Sequence, residues 1–264
     1  MKSPIYSLKG EKIGDMELGK TFSQKVRQDL IKRAVLFEQS HERQSYGADP
    51  LAGKRTSAHY HGRRGIKHSM MNREMARMKR IHGTGFLHFT ARFVPQAVKG
   101  RKAHPPKAEK IWELKMNKKE HMKALLSAIA ATADKEFLAK RGHKITHLKH
   151  VPLVIDDKFQ ELKKTKDVLE IFKLLGLSED VERAKTKSVR AGRGKTRGRK
   201  YVKKKGPLLV VNEERGIEKA SKSIPGVEIA TPKSLTVQML APGTDPGRLV
   251  LWTKSAIEQL QKSK

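Results

Sequence analysis

The sequence predicts an α/β fold: a three-layer α/β/α globular domain with a mostly parallel sheet of about four strands, carrying a long basic extended loop. Three observations point to it. Four short apolar runs, Val151-Pro-Leu-Val-Ile155, Leu208-Leu-Val-Val211, Val227-Glu-Ile-Ala230 and Leu249-Val-Leu-Trp-Thr253, read as strands buried on both faces, the pattern of a parallel sheet covered by helices. The segments between them are helix-compatible, so strand and helix alternate. The charge is also partitioned. Residues 41–110 hold 16 Lys/Arg against 4 acids, residues 183–205 hold 12 against none, and the other 171 residues hold 30 against 23. The expected organisation is a globular domain of residues 1–40 and 111–264, interrupted by an extended loop of residues 41–110. A second basic tract, 183–205, lies within the globular part.

The elements follow in order. Ile5-Tyr-Ser-Leu8 and Ile13-Gly-Asp-Met-Glu-Leu18 alternate around Lys9-Gly10-Glu11, which predicts a hairpin. Val26, Leu30, Ala34 and Phe37 fall on one helical face, with Thr21 and Gln24 placed as a capping box. Asn117 and Glu120 cap a second helix, carried by Met122, Leu125, Leu126, Ile129, Ala133 and Phe137 and closed by Gly142. Pro152 places the start of the next strand at an edge or at its first residues. Residues 168–175 form an apolar helix ended by Gly176, Ser178 caps a short helix to Ala184, and Ser255 with Glu258 caps a final helix, 256–261.

Bulk properties narrow the function. A net charge of +31 and a pI near 10.3 select a polyanionic partner, nucleic acid or an anionic membrane. No apolar run approaches the roughly 18–20 residues of a spanning helix, and Met1-Lys-Ser-Pro-Ile-Tyr6 lacks a signal-peptide core, so the expectation is a soluble intracellular protein. Zero cysteines exclude disulfides, thiolate metal sites and thiol nucleophiles.

Several constellations resemble sites. Gly192-Arg-Gly-Lys-Thr196 looks like a phosphate-binding loop, but Val189 stands where the first glycine belongs and no strand precedes it. In Arg190-Ala-Gly-Arg-Gly-Lys-Thr-Arg-Gly-Arg-Lys-Tyr201, alternating glycine lets the backbone approach phosphates while guanidinium groups fork onto them or stack on bases. His59-Tyr-His61, with His68, His82 and His88, supplies imidazoles. No acid or cysteine completes a ligand spacing, and surrounding arginines repel a cation, so base stacking and phosphate contact are expected and no metal. Met70, Met71, Met75 and Met78 among Arg73, Arg77, Lys79 and Arg80 suggest a short helix, either packed locally or laid basic face down on RNA. Asp156, Asp157 and Glu161 follow the first core strand where α/β enzymes bind ligands. Without a nucleophile, base or glycine fingerprint they read as turn and cap residues.

Phe93-Val-Pro-Gln-Ala-Val-Lys-Gly-Arg-Lys-Ala-His-Pro-Pro, Tyr46-Gly-Ala-Asp49, Ser127-Ala-Ile-Ala-Ala-Thr-Ala133, residues 191–201, Leu240-Ala-Pro-Gly243 and Pro246-Gly-Arg-Leu249 together resemble the archaeal and eukaryotic type of the large-subunit ribosomal protein family universally numbered four. The matches run in order over nearly the whole chain. The resemblance implies a cytoplasmic, non-enzymatic ribosomal protein. It would bind large-subunit rRNA, support its assembly and send its long loop to the wall of the peptide exit tunnel. Its partners would be rRNA, other large-subunit proteins including the tunnel protein of family number twenty-two, and the nascent polypeptide, with no cofactor. The rRNA-binding candidates are Arg55, Arg63, Arg64, Lys67, Arg73, Arg77, Arg80, Arg92, Lys99, Arg101 and Lys102 in the loop, and Arg190, Arg193, Lys195, Arg197, Arg199 and Lys200 in the second tract. Arg63, Arg64, Ile66, Met70, Met71 and Met75 are the tunnel-facing candidates, and Tyr60, Phe86, Phe89 and Phe93 are placed to stack on bases. The rival is an RNA-modifying or nucleic-acid-cleaving α/β enzyme with basic arms.

Overall fold

A computed structural model describes residues 1–148 and 150–262. The chain divides into two compact units, Met1–Glu42 with Glu113–Lys264, and Arg43–Trp112. The first is built on β1 (Lys2–Tyr6), β2 (Lys12–Glu17), α1 (Gln28–Glu42), α2 (Lys118–Ala131), α3 (Lys135–Lys140), β3 (Leu153–Ile155), α4 (Thr165–Leu174), α5 (Ser178–Lys185), β4 (Lys187–Val189), β5 (Tyr201–Lys203), β6 (Leu208–Val210), α6 (Ile217–Ser221), β7 (Glu228–Ala230), α7 (Val237–Leu240), β8 (Val250–Thr253) and α8 (Lys254–Lys262).

The four apolar runs form β3, β6, β7 and β8, all parallel to their neighbours, as expected. The sheet has six strands rather than about four, in the order β2-β1-β3-β8-β6-β7. The N-terminal hairpin joins it: β1 pairs antiparallel with β2 and parallel with β3, Ile5 opposite Val154, and Ser3 Oγ donates to the Pro152 carbonyl at 2.7 Å. An edge of β3 left open would expose unpaired backbone groups, and β1 closes it.

Period-2 alternation sorts the strand side chains into two cores. Val154, Leu208, Val210, Val250 and Trp252 pack with residues of α1, α2, α7 and α8. Leu153, Ile155, Leu209, Leu249 and Leu251 pack with residues of α3, α4, α5 and α6. Both faces are therefore covered, which makes three layers. Trp252, fully buried, meets the edge of Phe22 at 5.5 Å.

Several expected caps are corrected. Thr21 does not cap α1. Phe22 packing on Trp252 holds residues 20–23 in a separate 3-10 turn, and the helix begins only at Gln28. Asn117 precedes α2 without a side-chain cap bond, and Glu120 instead pairs with Arg33 at 2.6 Å. The single helix expected up to Gly142 is two, because the Asp134 side chain accepts from Glu136 N and starts α3 afresh. Ser178 lies inside α5 rather than capping it, and Ser255 lies inside α8, its hydroxyl donating to Asp157. Gly176 does close α4, at φ +76°.

Two buried polar clusters tie layers together. The fully buried Arg248 donates to the carbonyls of Gly206 (2.9 Å), Met239 (2.9 Å) and Gly226 (3.3 Å) and to the Glu228 carboxylate (2.5 Å). Burial alone would raise the Glu228 pKa, but Arg248 and Lys205 hold it below the usual carboxylate range. Gly247, just before it, adopts φ +93°, and a Cβ there would come within 2.5 Å of the Phe137 backbone. In the second cluster, His143 Nδ1 donates to Asp180 at 3.0 Å while Nε2 accepts from Leu249 N at 3.3 Å, which assigns the neutral tautomer. Burial lowers the His143 pKa against the opposing pull of Asp180.

Removing Arg248 leaves the Gly206, Met239 and Gly226 carbonyls without their donor and a cavity behind, while Glu228 keeps Lys205. Arg248→Ala is expected to lower the unfolding free energy by about 3–5 kcal/mol, read by urea denaturation of the full chain. For His143, the folded pKa lies below its ordinary 6.5, so the unfolded chain takes up a proton before the folded one does. Its contribution is full above that value and lost as pH falls through the folded pKa. Melting temperature should therefore drop on acidification below pH 6.5, and His143→Gln should flatten that slope whatever its effect at neutral pH.

Candidate nucleic-acid interface

The unit Arg43–Trp112 contains no helix among its described residues, only turns and short pairings. Three extended segments lie side by side, with His59 opposite Arg80 and Arg80 opposite Ala91. They are joined by bonds such as Ile81 N to Thr90 O and Arg92 N to Lys79 O, at 3.0 and 3.1 Å. The two ends of the stretch also run together: Ala48 N donates to Pro106 O, and Gly47 and Gly53 abut the backbone of Ala108 and Gly100 so closely that a Cβ would clash. Buried side chains are few: Ala58, Ser69 and Met70. A unit with so little core places most of its side chains in solvent.

The expected methionine helix is absent. Residues 70–78 form turns, Met70 N donates to His61 O at 3.0 Å, and Met70 itself is fully buried, so it supports the unit and faces nothing outside it. Met75 and Ile66 are exposed and Met71 is half-buried.

Most predicted basic residues project outward. Arg55, Arg63, Arg64, Lys67, Arg73, Arg77, Lys99 and Lys102 are exposed, with Arg55 also paired to Asp49 at 2.6 Å. Arg101 is half-buried. Arg80 and Arg92 have turned donors inward, Arg80 onto Phe89 O and Ala76 O at 2.7 and 3.0 Å, Arg92 onto Val98 O at 2.7 Å. Among the aromatic residues, Phe86 is 94% exposed and Tyr60 is exposed, with ring surface open to a base. Phe89 and Phe93 already carry cations, Arg73 at 4.3 Å and Lys79 at 4.1 Å. Sequence reasoning missed a second group of this type, in which Arg43 lies 3.7 Å over Trp112, Lys110 lies 4.2 Å from it, and Tyr46 stacks at 5.6 Å. A tryptophan and a tyrosine flanked by cations at the two ends of the basic stretch was the available signal.

The second tract is a β-hairpin, which sequence reasoning did not predict. β4 and β5 pair antiparallel, Lys187 opposite Lys203 and Val189 opposite Tyr201, and a 3-10 turn, Arg193–Thr196, lies between them. Gly192 and Gly198 have φ +75° and +78°, values that L side chains rarely adopt, so these glycines shape the turn. Contrary to expectation a strand, β4, does precede Gly192-Arg-Gly-Lys-Thr196, but these residues form the turn of the hairpin and β5 follows where a nucleotide cradle needs a helix, so the loop is no nucleotide cradle. Arg193, Lys195, Arg197, Arg199 and Lys200 are exposed, while half-buried Arg190 donates to Arg199 O at 2.9 Å and braces the turn. The hairpin base is clamped to the domain. Arg183 bonds Asp180 at 2.8 Å and Lys205 O at 2.7 Å, and Lys205 pairs with Glu228.

The acids after β3 are used structurally, as expected. Asp156 caps the turn that follows, and Asp157 accepts from Ser255 N and Oγ at 2.9 and 2.6 Å. Glu161 lies 3.7 Å from Arg215. The histidines, however, converge: the ligand-type nitrogens of His59, His61 and His82 lie within 4.8 Å of one another. Burial, followed by neighbouring imidazoles, lowers the His82 pKa.

The arrangement is two cation-rich, acid-poor surfaces, suited to phosphate contact and base stacking. Residues 16–263 match the model of the ribosomal protein L4/L1 family. The chain is similar to the large ribosomal subunit protein uL4 of Archaeoglobus fulgidus, 48% identical over 265 residues covering 98% of each chain. It is also similar to that of Methanococcus aeolicus, 47% identical over 263 residues covering 99% of each. That of Methanosphaera stadtmanae is 45% identical over 260 residues, covering 98% of this chain and 96% of the relative.

Proposed function

The chain belongs to the ribosomal protein L4/L1 family, and we propose that it is a structural constituent of the large ribosomal subunit, binding large-subunit rRNA beside other ribosomal proteins in the cytoplasmic ribosome. The observation that carries this reading is the placement of charge. Of 58 Lys/Arg, 28 lie in two segments holding only 4 acids, and most of their predicted contact residues are exposed. Such surfaces bind by displacing counterions condensed on phosphates. Catalysis has no support, since Asp156, Asp157 and Glu161 are engaged in caps and an ion pair.

The finer reading is that the Arg43–Trp112 unit reaches the peptide exit tunnel. Arg63, Arg64, Ile66, Met71 and Met75 would then face the nascent polypeptide, near the tunnel protein of family number twenty-two. The support is their position on turns away from the paired ends of the stretch, with exposed or half-exposed side chains. Arg80, Arg92 and Arg190 would contribute mainly by holding the backbone that presents the other cations.

On a sucrose gradient of cell extract at physiological salt, the chain should sediment with large subunits; recovery only in the free-protein fractions would sink the reading. Replacing Arg193, Lys195, Arg197 and Arg199 together by Gln should weaken binding to large-subunit rRNA across sequences. It should also make the slope of log K against log salt shallower by about 3. A photo-reactive residue at Ile66 or Met75 should crosslink nascent chains on stalled ribosomes, whereas one at Val189 should not. Equal labelling at all three would refute the tunnel assignment and leave the rRNA reading standing.

A further inference from the structure

The strongest feature to which the proposed function assigns no role is the imidazole cluster. The antiparallel contact at His59 and Arg80, with N–H to O distances of 3.3 and 3.1 Å, sets two extended segments side by side. Alternation along a strand returns every second side chain to the same face, which groups His59 with His61 and brings His82 alongside. Ring centroids are 4.4 Å apart for His59 and His61, 4.1 Å for His59 and His82, and 4.6 Å for His61 and His82.

Two further details concern the lone pairs. His59 Nδ1 is bonded to the Ser57 carbonyl at 3.0 Å, so it carries the proton and Nε2 keeps its lone pair. His82 Nε2 is shut off from solvent with no hydrogen-bond partner, and an unmet buried polar atom is costly unless something binds it. His68 stacks on the His82 ring at 4.8 Å and 11°, forming a wall. The Arg80 guanidinium is drawn off to Ala76 and Phe89 carbonyls.

We propose that His59, His61 and His82 form a three-imidazole site for a borderline first-row divalent cation of the zinc type, with water in the fourth position. Nitrogen-only ligands disfavour Mg²⁺ and Ca²⁺, which require oxygen donors. Coordination distances of about 2.0–2.1 Å need the nitrogens to draw closer than their present spacing, which side-chain rotation supplies. Lys67 and Arg73, which act on neighbouring His68, work against a cation and set affinity below that of a thiolate site. The function of the ion is a staple: the Arg43–Trp112 unit buries little, and a metal joining its two histidine segments replaces the core it lacks. The site does not depend on the ribosomal reading.

The test titrates RNA-free, chelator-treated full-length chain with Co²⁺ and then competes with Zn²⁺. Expected are a tetrahedral cobalt spectrum saturating at about one equivalent, its loss to Zn²⁺, and slower proteolysis within residues 57–92 when metal is present. His61→Gln and His82→Gln should each weaken binding at least about tenfold, and His104→Gln should leave it unchanged. No cobalt spectrum in the unsubstituted chain overturns the site whatever the variants do. Uptake in His82→Gln equal to that of the unsubstituted chain overturns it as well.

Discussion

A guanidinium removed from water must find its partners in the protein, and Arg248 finds them on three different segments. Gly206 leads into β6, Gly226 precedes β7, Glu228 begins it, and Met239 lies in α7. Misplacing any of these leaves a buried charge unmatched, so the far edge of the sheet and the helix beside it are set together. The same network reaches the basic hairpin, because Glu228 also holds Lys205 and Arg183 holds the Lys205 carbonyl. A cation with no access to solvent thereby fixes where five exposed ones are displayed.

The two basic surfaces solve one electrostatic problem in different ways. The hairpin is short, and its turn is braced by backbone bonds and by Arg190 turned back on Arg199. The Arg43–Trp112 unit is long and has almost no apolar interior, so it relies on paired segments, inward-turned arginines and cations laid on aromatic rings. Both arrangements leave most charges outward, which favours a phosphate-rich partner over self-association.

Much of this was legible in the residues. Val151-Pro-Leu-Val-Ile155, Leu208-Leu-Val-Val211 and Leu249-Val-Leu-Trp-Thr253 became parallel strands because a nearly continuous apolar run must be buried on both faces, whereas Val227-Glu-Ile-Ala230, interrupted by Glu228, forms the edge strand. Gly176 and Gly142 end helices at positive φ as their positions indicated. The cap assignments at Thr21 and Ser255 failed for a common reason: a hydroxyl near a helix start is a local signal. Here the chain direction was settled by distant contacts, Phe22 on Trp252 and Asp157 on Ser255.

By itself the sequence determined the α/β class, the positions of the N-terminal hairpin and of the four apolar strands, the partition of charge into two basic segments and a more balanced remainder, and the family, since all of these depend on local pattern and composition. Tertiary structure alone decided that the N-terminal hairpin completes the sheet and that the glycine-rich tract is a β-hairpin. It also buried Met70 and brought His59 and His61 to His82 across 21 residues of chain. The physical reason is that pairing and burial are properties of segments far apart in the chain. No spacing rule within one segment records which partner will meet it.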